Sequence, residues 1–288
     1  MTRAAEATGP GPMALVAIEQ RFPPGQRILV DELAGRMLPA GGRALLATAA
    51  LPRVRDSFVW LTDQAFPGLW AGVMCRKRRI DEALTTAEGR LDAVLNLGAG
   101  WDTRAYRLPA LAHVPVWEVD QHRTIAAKKA RLRKLFGGTP THITQTVFDL
   151  DEDGLGSALA ACGYGAKVRT VFIMEALTQY LTVAAVTCLF RFMSNAAPGS
   201  QAIFTYVQED FIEGRDLAGQ ARLYDRYVRG GVWRFGLATD HVGDWLQTFG
   251  WRLVEDVGYE ELARSYVAPT GRTLATMAVE RLVRAEKG

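Results

Sequence analysis

Residues 91–108, LDAVLNLGAGWDTRAYRL, constrain the fold more than any other stretch. An apolar run ends in a glycine-rich turn, and the turn continues into Asp102, Thr103 and Arg104. A short apolar run bounded by such a turn reads as a buried strand. Gly98 and Gly100 let the backbone approach a ligand closely, and a helix start just beyond offers free N–H groups. The motif GAGWDT matches only part of the dinucleotide fingerprint, because Thr103 stands at the third glycine position. A dinucleotide, a phosphate or another adenosine-bearing ligand all remain open at this turn.

From residue 91 onward the texture alternates. VPVWEVD (114–120), THITQTVFDL (141–150), VRTVFIME (168–175), SQAIFTYV (200–207) and WRLVEDVGY (251–259) read as strands, with RTLATMAVERLV (272–283) as a final one. Helical stretches separate them, among them the basic QHRTIAAKKARLRKLFG and TVAAVTCLFRFMSNAA. Strands alternating with helices predict an α/β fold, a mostly parallel, Rossmann-like sheet with helices on both faces, over 91–288. Residues 14–90 read as a helical N-terminal cap, and 1–13 as a flexible tail. The aromatic, charged segment 208–236 breaks the alternation and is either a connecting helix with loops or a lid insertion over a site.

The bulk composition narrows the class. Thirty-four basic residues against 31 acidic ones leave a net charge of +3, which argues against nucleic acid as the main partner. The dense run Arg76-Lys77-Arg78-Arg79 reads most simply as a solvated helix face, with Arg76 held back as a ligand candidate. Three scattered cysteines imply no disulfide framework and fit a cytoplasmic location. No apolar stretch approaches membrane-spanning length, and the four histidines show no metal-ligand spacing, so neither membrane nor metal is expected.

Acids recur at one edge of the expected sheet. Asp102 follows the first turn, and Asp120, Asp149 and Glu175 close the next three strand-like runs. Asp120, about twenty residues past the turn, is placed to accept from two ribose hydroxyls. Asp149 can accept from an adenine amino group, and Leu150 can pack on the ring. Such an edge is awkward for a pyrophosphate and suits an adenosine-bearing cation without phosphates. S-adenosylmethionine fits that description, and Arg76 is the candidate partner for its carboxylate.

The sequence resembles the leucine carboxyl methyltransferase family, including bacterial members that act on small molecules. NLGAGWDTRAYRL, WEVDQ with its basic helix, FDL, IMEALTQYLT, GVWRFG and RSYVAPTGRTL carry the resemblance over about 70–285. It implies a seven-stranded methyltransferase sheet with a helical cap, with S-adenosyl-L-methionine consumed and S-adenosyl-L-homocysteine released. It implies cofactor contacts at Gly98, Gly100 and Asp120, an adenine end at Asp149 and Leu150, a methionine-side contact at Glu175, and Arg76 on the cofactor carboxylate. Members acting on a protein phosphatase carry Lys-Arg-Phe where this chain has Gln20-Arg21-Phe22, which argues against that substrate.

Methyl transfer from a sulfonium is an in-line displacement, for which holding the reactants in place supplies roughly 7–11 kcal/mol. A carboxylate is ionised at neutral pH and needs no base, whereas a phenol with a pKa of about 10 usually needs one. The sequence therefore favours O-methylation of a small carboxylic acid, as in secondary metabolism. A phenol, hydroxyl or carbon acceptor is the alternative, with His241 or Glu175 as base, and an NAD(P)-dependent oxidoreductase is the more distant rival. Against that rival, Tyr164 and Lys167 lack the Tyr-x-x-x-Lys spacing. Tyr180 and Arg234 are the candidates for positioning the acceptor. The lid aromatics Phe211, Tyr224, Tyr227 and Trp233 suit either a flat aromatic or polyketide acceptor or a core within the lid itself.

Overall fold

The computed structural model describes residues 10–87, 89, 91–165 and 167–288. Seven strands form one sheet: β1 (Ala93–Leu97), β2 (Val116–Asp120), β3 (Ile143–Val147), β4 (Thr170–Met174), β5 (Gln201–Val207), β6 (Trp251–Gly258) and β7 (Glu280–Lys287). Their order is β3-β2-β1-β4-β5-β7-β6. β1 to β5 run parallel, and β7 enters antiparallel between β5 and β6. The expected final strand lies later than 272–283, because pairing begins only at Glu280.

Strands β1 and β4 are buried at every position, as expected for parallel strands covered on both faces. The period-2 geometry sorts their side chains. Ala93, Leu95, Leu97, Phe172 and Met174 enter one core with α9 (Val183–Met193). Val94, Val171 and Ile173 enter the opposite one with Ile80, Ala83 and Leu84. The remaining helices on the sheet's flanks include α6 (Arg104–Arg107), α7 (His122–Phe136) and α8 (Leu155–Ala161).

The first ninety residues hold α1 (Pro10–Glu19), α2 (Ala34–Met37), α3 (Ala40–Thr48), α4 (Pro52–Ala65) and α5 (Leu69–Thr86). Residues 1–9 of the expected tail lie outside the described residues, and 10–13 are not a tail: they open α1, and Met13 is buried in the cap core. Helix α5 is the central post of this layer. Its first two turns are buried all round, from Trp70 to Arg76, which makes it an interior helix. Gly68 permits its sharp start: φ is +79°, and a Cβ there would lie 2.2 Å from the Thr276 backbone.

Buried Glu19 ties α1 into the molecule. It accepts from Ile28 N and Trp70 Nε1, both at 2.8 Å, and pairs with Arg272. Among the described residues, no helix is long and apolar enough to cross a membrane, and no group of three His, Cys, Asp or Glu could hold a metal.

Candidate active site

Strand order reverses between β1 and β4, and a cleft of about 800 Å³ opens over the carboxyl ends of those strands. Open α/β sheets bind ligands at such a switch point. Its floor comes from the turn after β1, the end of β2 and the turn after β4. Arg76, Gly98, Gly100, Asp120, Glu175 and Tyr180, all singled out from the sequence, line this one cleft.

The glycine turn is locked from below. Gly98 and Ala99 donate to the Val119 carbonyl at 2.9 and 3.1 Å. Gly98 has φ of +66°, and a Cβ there would lie 2.8 Å from Leu177 Cδ1. Asp120 then closes the turn onto β2. Its Oδ2 accepts from Gly100 N and its Oδ1 from Gln121 N, each at 2.7 Å. Burial pushes the Asp120 carboxyl above the usual range, against the pull of those two backbone donors.

The run 76–79 is not a solvated face, because every member is spent in an ion pair. Arg76 reaches Glu175 at 2.9 Å and Glu280 at 3.1 Å, Lys77 reaches Glu175, Arg78 pairs with Glu82 and Arg79 with Glu255. Helical spacing points Arg76 and Lys77 at the sheet edge and the other two away from it. Arg104 completes the floor, donating to Asp81, Asp102 and Glu175. Burial raises the Glu175 carboxyl, but Lys77, Arg104 and Arg76 outweigh it and hold the group well below the carboxylate range. Asp102 is likewise raised by burial yet held at about 2, chiefly by Arg104.

Other expected residues fall elsewhere. Leu150 is buried in the core below the sheet edge, and Asp149 accepts from Gln121 Nε2 at 3.2 Å and Asp151 N at 3.1 Å. Neither lines the cleft, although Gln121 links Asp149 to the residue beside Asp120. His241 is a correction. It ends a short 3-10 turn with its side chain 72% exposed beside Asp240, on the surface and away from the cleft. Arg234 also serves a structural purpose, pairing with Asp151 at 2.9 Å and donating to the Tyr180 carbonyl. It fixes the Tyr180 turn and does not face the cleft.

The four aromatic residues of 208–236 singled out from the sequence divide between the two readings. Tyr227 and Trp233 line the cleft, with rings stacked at 5.0 Å and 19°. Phe211 and Tyr224 form the layer behind, Phe211 lying 6.2 Å from Trp233 and 5.7 Å from Tyr224. Gln20 is occupied with the backbone of Val16, Leu29 and Asp31. Sequence reasoning missed Lys77, Arg104 and Glu280. For Glu280 the available signal was a charged pair, Glu280-Arg281, set inside the apolar run AVERLV. Glu280 is 3% exposed and lines the cleft; its Oε2 accepts from Arg76 and Tyr259, while Oε1 has no hydrogen-bond partner.

Comparison with known proteins agrees with this geometry. The profile of the leucine carboxyl methyltransferase family matches residues 11–194. A protein of Mycobacteroides abscessus, assigned by name to the S-adenosyl-L-methionine-dependent methyltransferases, is 32% identical over 220 residues, covering 73% of this chain and 70% of its own. Among solved structures, a DUF574 family protein of Streptomyces avermitilis superposes with a TM-score of 0.59 over 96% of this chain and 97% of its own, at 13% identity. A Thermobifida fusca protein named as a methyltransferase superposes with a TM-score of 0.57, again at 13% identity, covering 96% of this chain and 94% of its own. At that identity the two structures speak for the fold alone.

Proposed function

Because the chain belongs to the leucine carboxyl methyltransferase family and is an S-adenosylmethionine-dependent methyltransferase, we propose that it methylates an oxygen of a small, largely apolar acceptor, making a methyl ester of a carboxylic acid. The donor set of the cleft fits the cofactor. Asp120, whose carboxylate accepts from Gly100 N, Gln121 N and the Thr124 hydroxyl, keeps acceptor capacity for a ribose hydroxyl. Arg76 and Lys77, at the far side of the glycine turn, suit the cofactor carboxylate, with Gly98 and Gly100 bringing the backbone close between them. Asp149 and Leu150 remain our proposed adenine end, reached through Gln121. Bound there, the cofactor supplies an electrophilic methyl carbon on a cationic sulfur.

The chain's own residues then have three tasks. Glu175, kept anionic by Lys77, Arg104 and Arg76, places negative charge beside the site where a cationic sulfur would sit. The apolar wall formed by Phe58, Leu61 and Trp233 excludes water from the acceptor. Tyr180, held by the Arg234 clip on its carbonyl, orients the acceptor at the cleft floor. The acceptor oxygen forms its bond to the methyl carbon as the carbon–sulfur bond breaks, and the sulfur keeps the electron pair.

The observation that supports the carboxylate reading is the state of the two bases named from the sequence. Glu175 is held far below the range of a working proton acceptor, and His241 lies outside the cleft. A nucleophile that is already ionised needs neither. A hydroxyl acceptor is the second reading, favoured by the unpartnered Glu280 oxygen, which could take its proton. Incubation with radiolabelled S-adenosylmethionine and a panel of aromatic carboxylic acids and phenols tests the choice. A labelled product that releases methanol in mild base is expected; a base-stable product refutes the ester reading. We place this chemistry in the cytoplasm and in secondary metabolism, on the cysteine pattern and the apolar cleft.

A further inference from the structure

Two arginines, Arg222 and Arg226, sit on one short piece of the segment that covers the cleft, spanning Ala221–Leu223 and the π-helical turn Tyr224–Val228, and a third, Arg229, follows it directly. Their surroundings differ. Arg222 donates to the Gln64 carbonyl at 3.3 Å and, with Gln220 on the Pro67 carbonyl at 2.8 Å, fastens the segment to the end of α4. Arg229 pairs with Asp225 at 3.0 Å. Arg226 lies over the rings of Phe66, at 5.6 Å, and Tyr227, at 5.5 Å, and lines the cleft mouth. Among the described residues it has no carboxylate partner and no side-chain hydrogen bond. A π-turn in place of a regular helix is rare and recurs at functional sites.

The rings under Arg226 continue inward. Phe66 meets Tyr227 at 6.4 Å, Tyr227 stacks on Trp233 at 5.0 Å, and Trp233 meets Tyr180 edge-on at 6.4 Å. Tyr180 belongs to the 3-10 turn that closely follows Glu175. This ladder therefore runs from the guanidinium at the mouth to the charged floor.

The facing wall is α4, which has 14 residues and no buried side chain. Its Phe58, Leu61, Thr62 and Ala65 fall on one face at helical spacing, and that face lines the cleft. Leu61 is 53% exposed there. Two apolar walls without a core between them are complementary to an elongated apolar body. On the floor, by contrast, each cation already has its carboxylate: Arg76 and Lys77 on Glu175, and Arg104 on Asp102.

We propose that Arg226 is a specificity determinant that binds a carboxylate on the acceptor at the end remote from the methylated oxygen. The acceptor class is then an elongated aromatic molecule with an oxygen nucleophile at one end and an anion at the other. The Phe66 and Tyr227 rings beneath it seat the guanidinium at the exposed cleft mouth, and its planar fork suits a planar carboxylate. The floor gives an acceptor anion no equivalent recognition, because Arg76 and Lys77 are the cations assigned to the cofactor carboxylate and Arg104, beneath the cleft, is bound to Asp81, Asp102 and Glu175. This inference rests on the methyltransferase reading.

The test uses the full chain saturated with S-adenosylhomocysteine and calorimetric titration with two probe pairs. They are naphthalene-2,6-dicarboxylate against its dimethyl ester, and biphenyl-4,4′-dicarboxylate against its dimethyl ester. At least one dicarboxylate should bind about 10-fold more tightly than its ester, and the difference should shrink at 0.5 M salt. Arg226→Gln should abolish the difference, Arg226→Lys should keep part of it, and both should keep wild-type affinity for S-adenosylhomocysteine. Equal binding of each pair, failure of all four probes to bind, or a preference that survives Arg226→Gln overturns the inference. So does a loss of S-adenosylhomocysteine affinity in Arg226→Gln, which would put this arginine on the cofactor. If the wild-type chain binds no S-adenosylhomocysteine, the cofactor reading itself fails and this inference falls with it.

Discussion

Asp120→Asn is the sharpest probe of the cofactor site. Each carboxylate oxygen accepts one backbone N–H at 2.7 Å, from Gly100 and from Gln121, the Thr124 hydroxyl also donates to the group, and capacity is left for a ribose hydroxyl. An asparagine presents one oxygen and one NH2. Whichever way it turns, the NH2 faces a backbone donor, and one hydroxyl loses a charged acceptor. Hydrogen bonds to charged groups contribute about 1.5–3 kcal/mol, so affinity for S-adenosylhomocysteine should fall about 10- to 150-fold. Asp120→Ala should lose more, because both oxygens go.

The pH dependence gives an independent reading of the same group. Burial raises the Asp120 carboxyl above its ordinary value, so wild-type affinity should rise with pH through that raised pKa. Asp120→Asn should lack that limb. Calorimetric titration across pH, with thermal unfolding as a check that the variant is folded, reads both effects. Wild-type affinity in a folded Asp120→Asn protein would falsify the assignment of this acid to the ribose.

Arg76→Ala should weaken S-adenosylhomocysteine at least about 10-fold through loss of a charge-assisted pair, with Arg76→Lys between it and wild type; unchanged affinity in the alanine variant removes Arg76 from the site. Lys128→Met strands Glu118, since the pair is buried at 0% and 1% side-chain exposure with 2.8 Å between Nζ and Oε1. It should cost about 3–5 kcal/mol and lower Tm by about 10 °C, and adding Glu118→Gln should restore part of that loss; a melting curve like the wild type's would count against the pair. Glu175 and Asp102 have folded-state values below their unfolded ones, so the stability they contribute is present above about pH 4 and is lost as pH falls toward their folded values, about 2 for Asp102. Asp120 acts in the opposite sense, its raised value costing stability that returns as pH falls through it. Urea titrations at neutral pH and near pH 3 should show a net loss at acid pH that is smaller in Glu175→Gln.

The sheet was legible from sequence because β1 and β4 are buried on both faces and so read as unbroken apolar runs. Six of the seven strands fall within the predicted runs; β7 was set too early because Met277 and Val279 are buried in the cap core without pairing as a strand. The cleft residues that follow strands, Gly98, Gly100, Asp120 and Glu175, were legible because topology alone fixes where a strand's carboxyl end lies. Residues whose positions depend on tertiary docking were not. His241 was a candidate only if the acceptor needed a base, and its side chain lies exposed beside Asp240. For Arg234 the sequence left an acceptor contact and a salt bridge equally open, and its partner Asp151 stands 83 residues earlier in the chain. The basic run 76–79 hid its ion pairs to Glu175, Glu280, Glu82 and Glu255, because a helix scatters neighbours in sequence around its circumference.

The sheet order also bears on how the chain is made. β7, the seventh strand in sequence, lies inside the sheet between β5 and β6. During synthesis at about 5–20 residues per second, β5 must therefore wait some 70 residues with one edge unpaired, and β6 has no neighbour to join. Glu280, which neutralises Arg76, arrives with the same strand. Until it does, the nascent chain presents an open β edge and a buried arginine short of one partner, so this interval is when a ribosome-bound chaperone has most to protect.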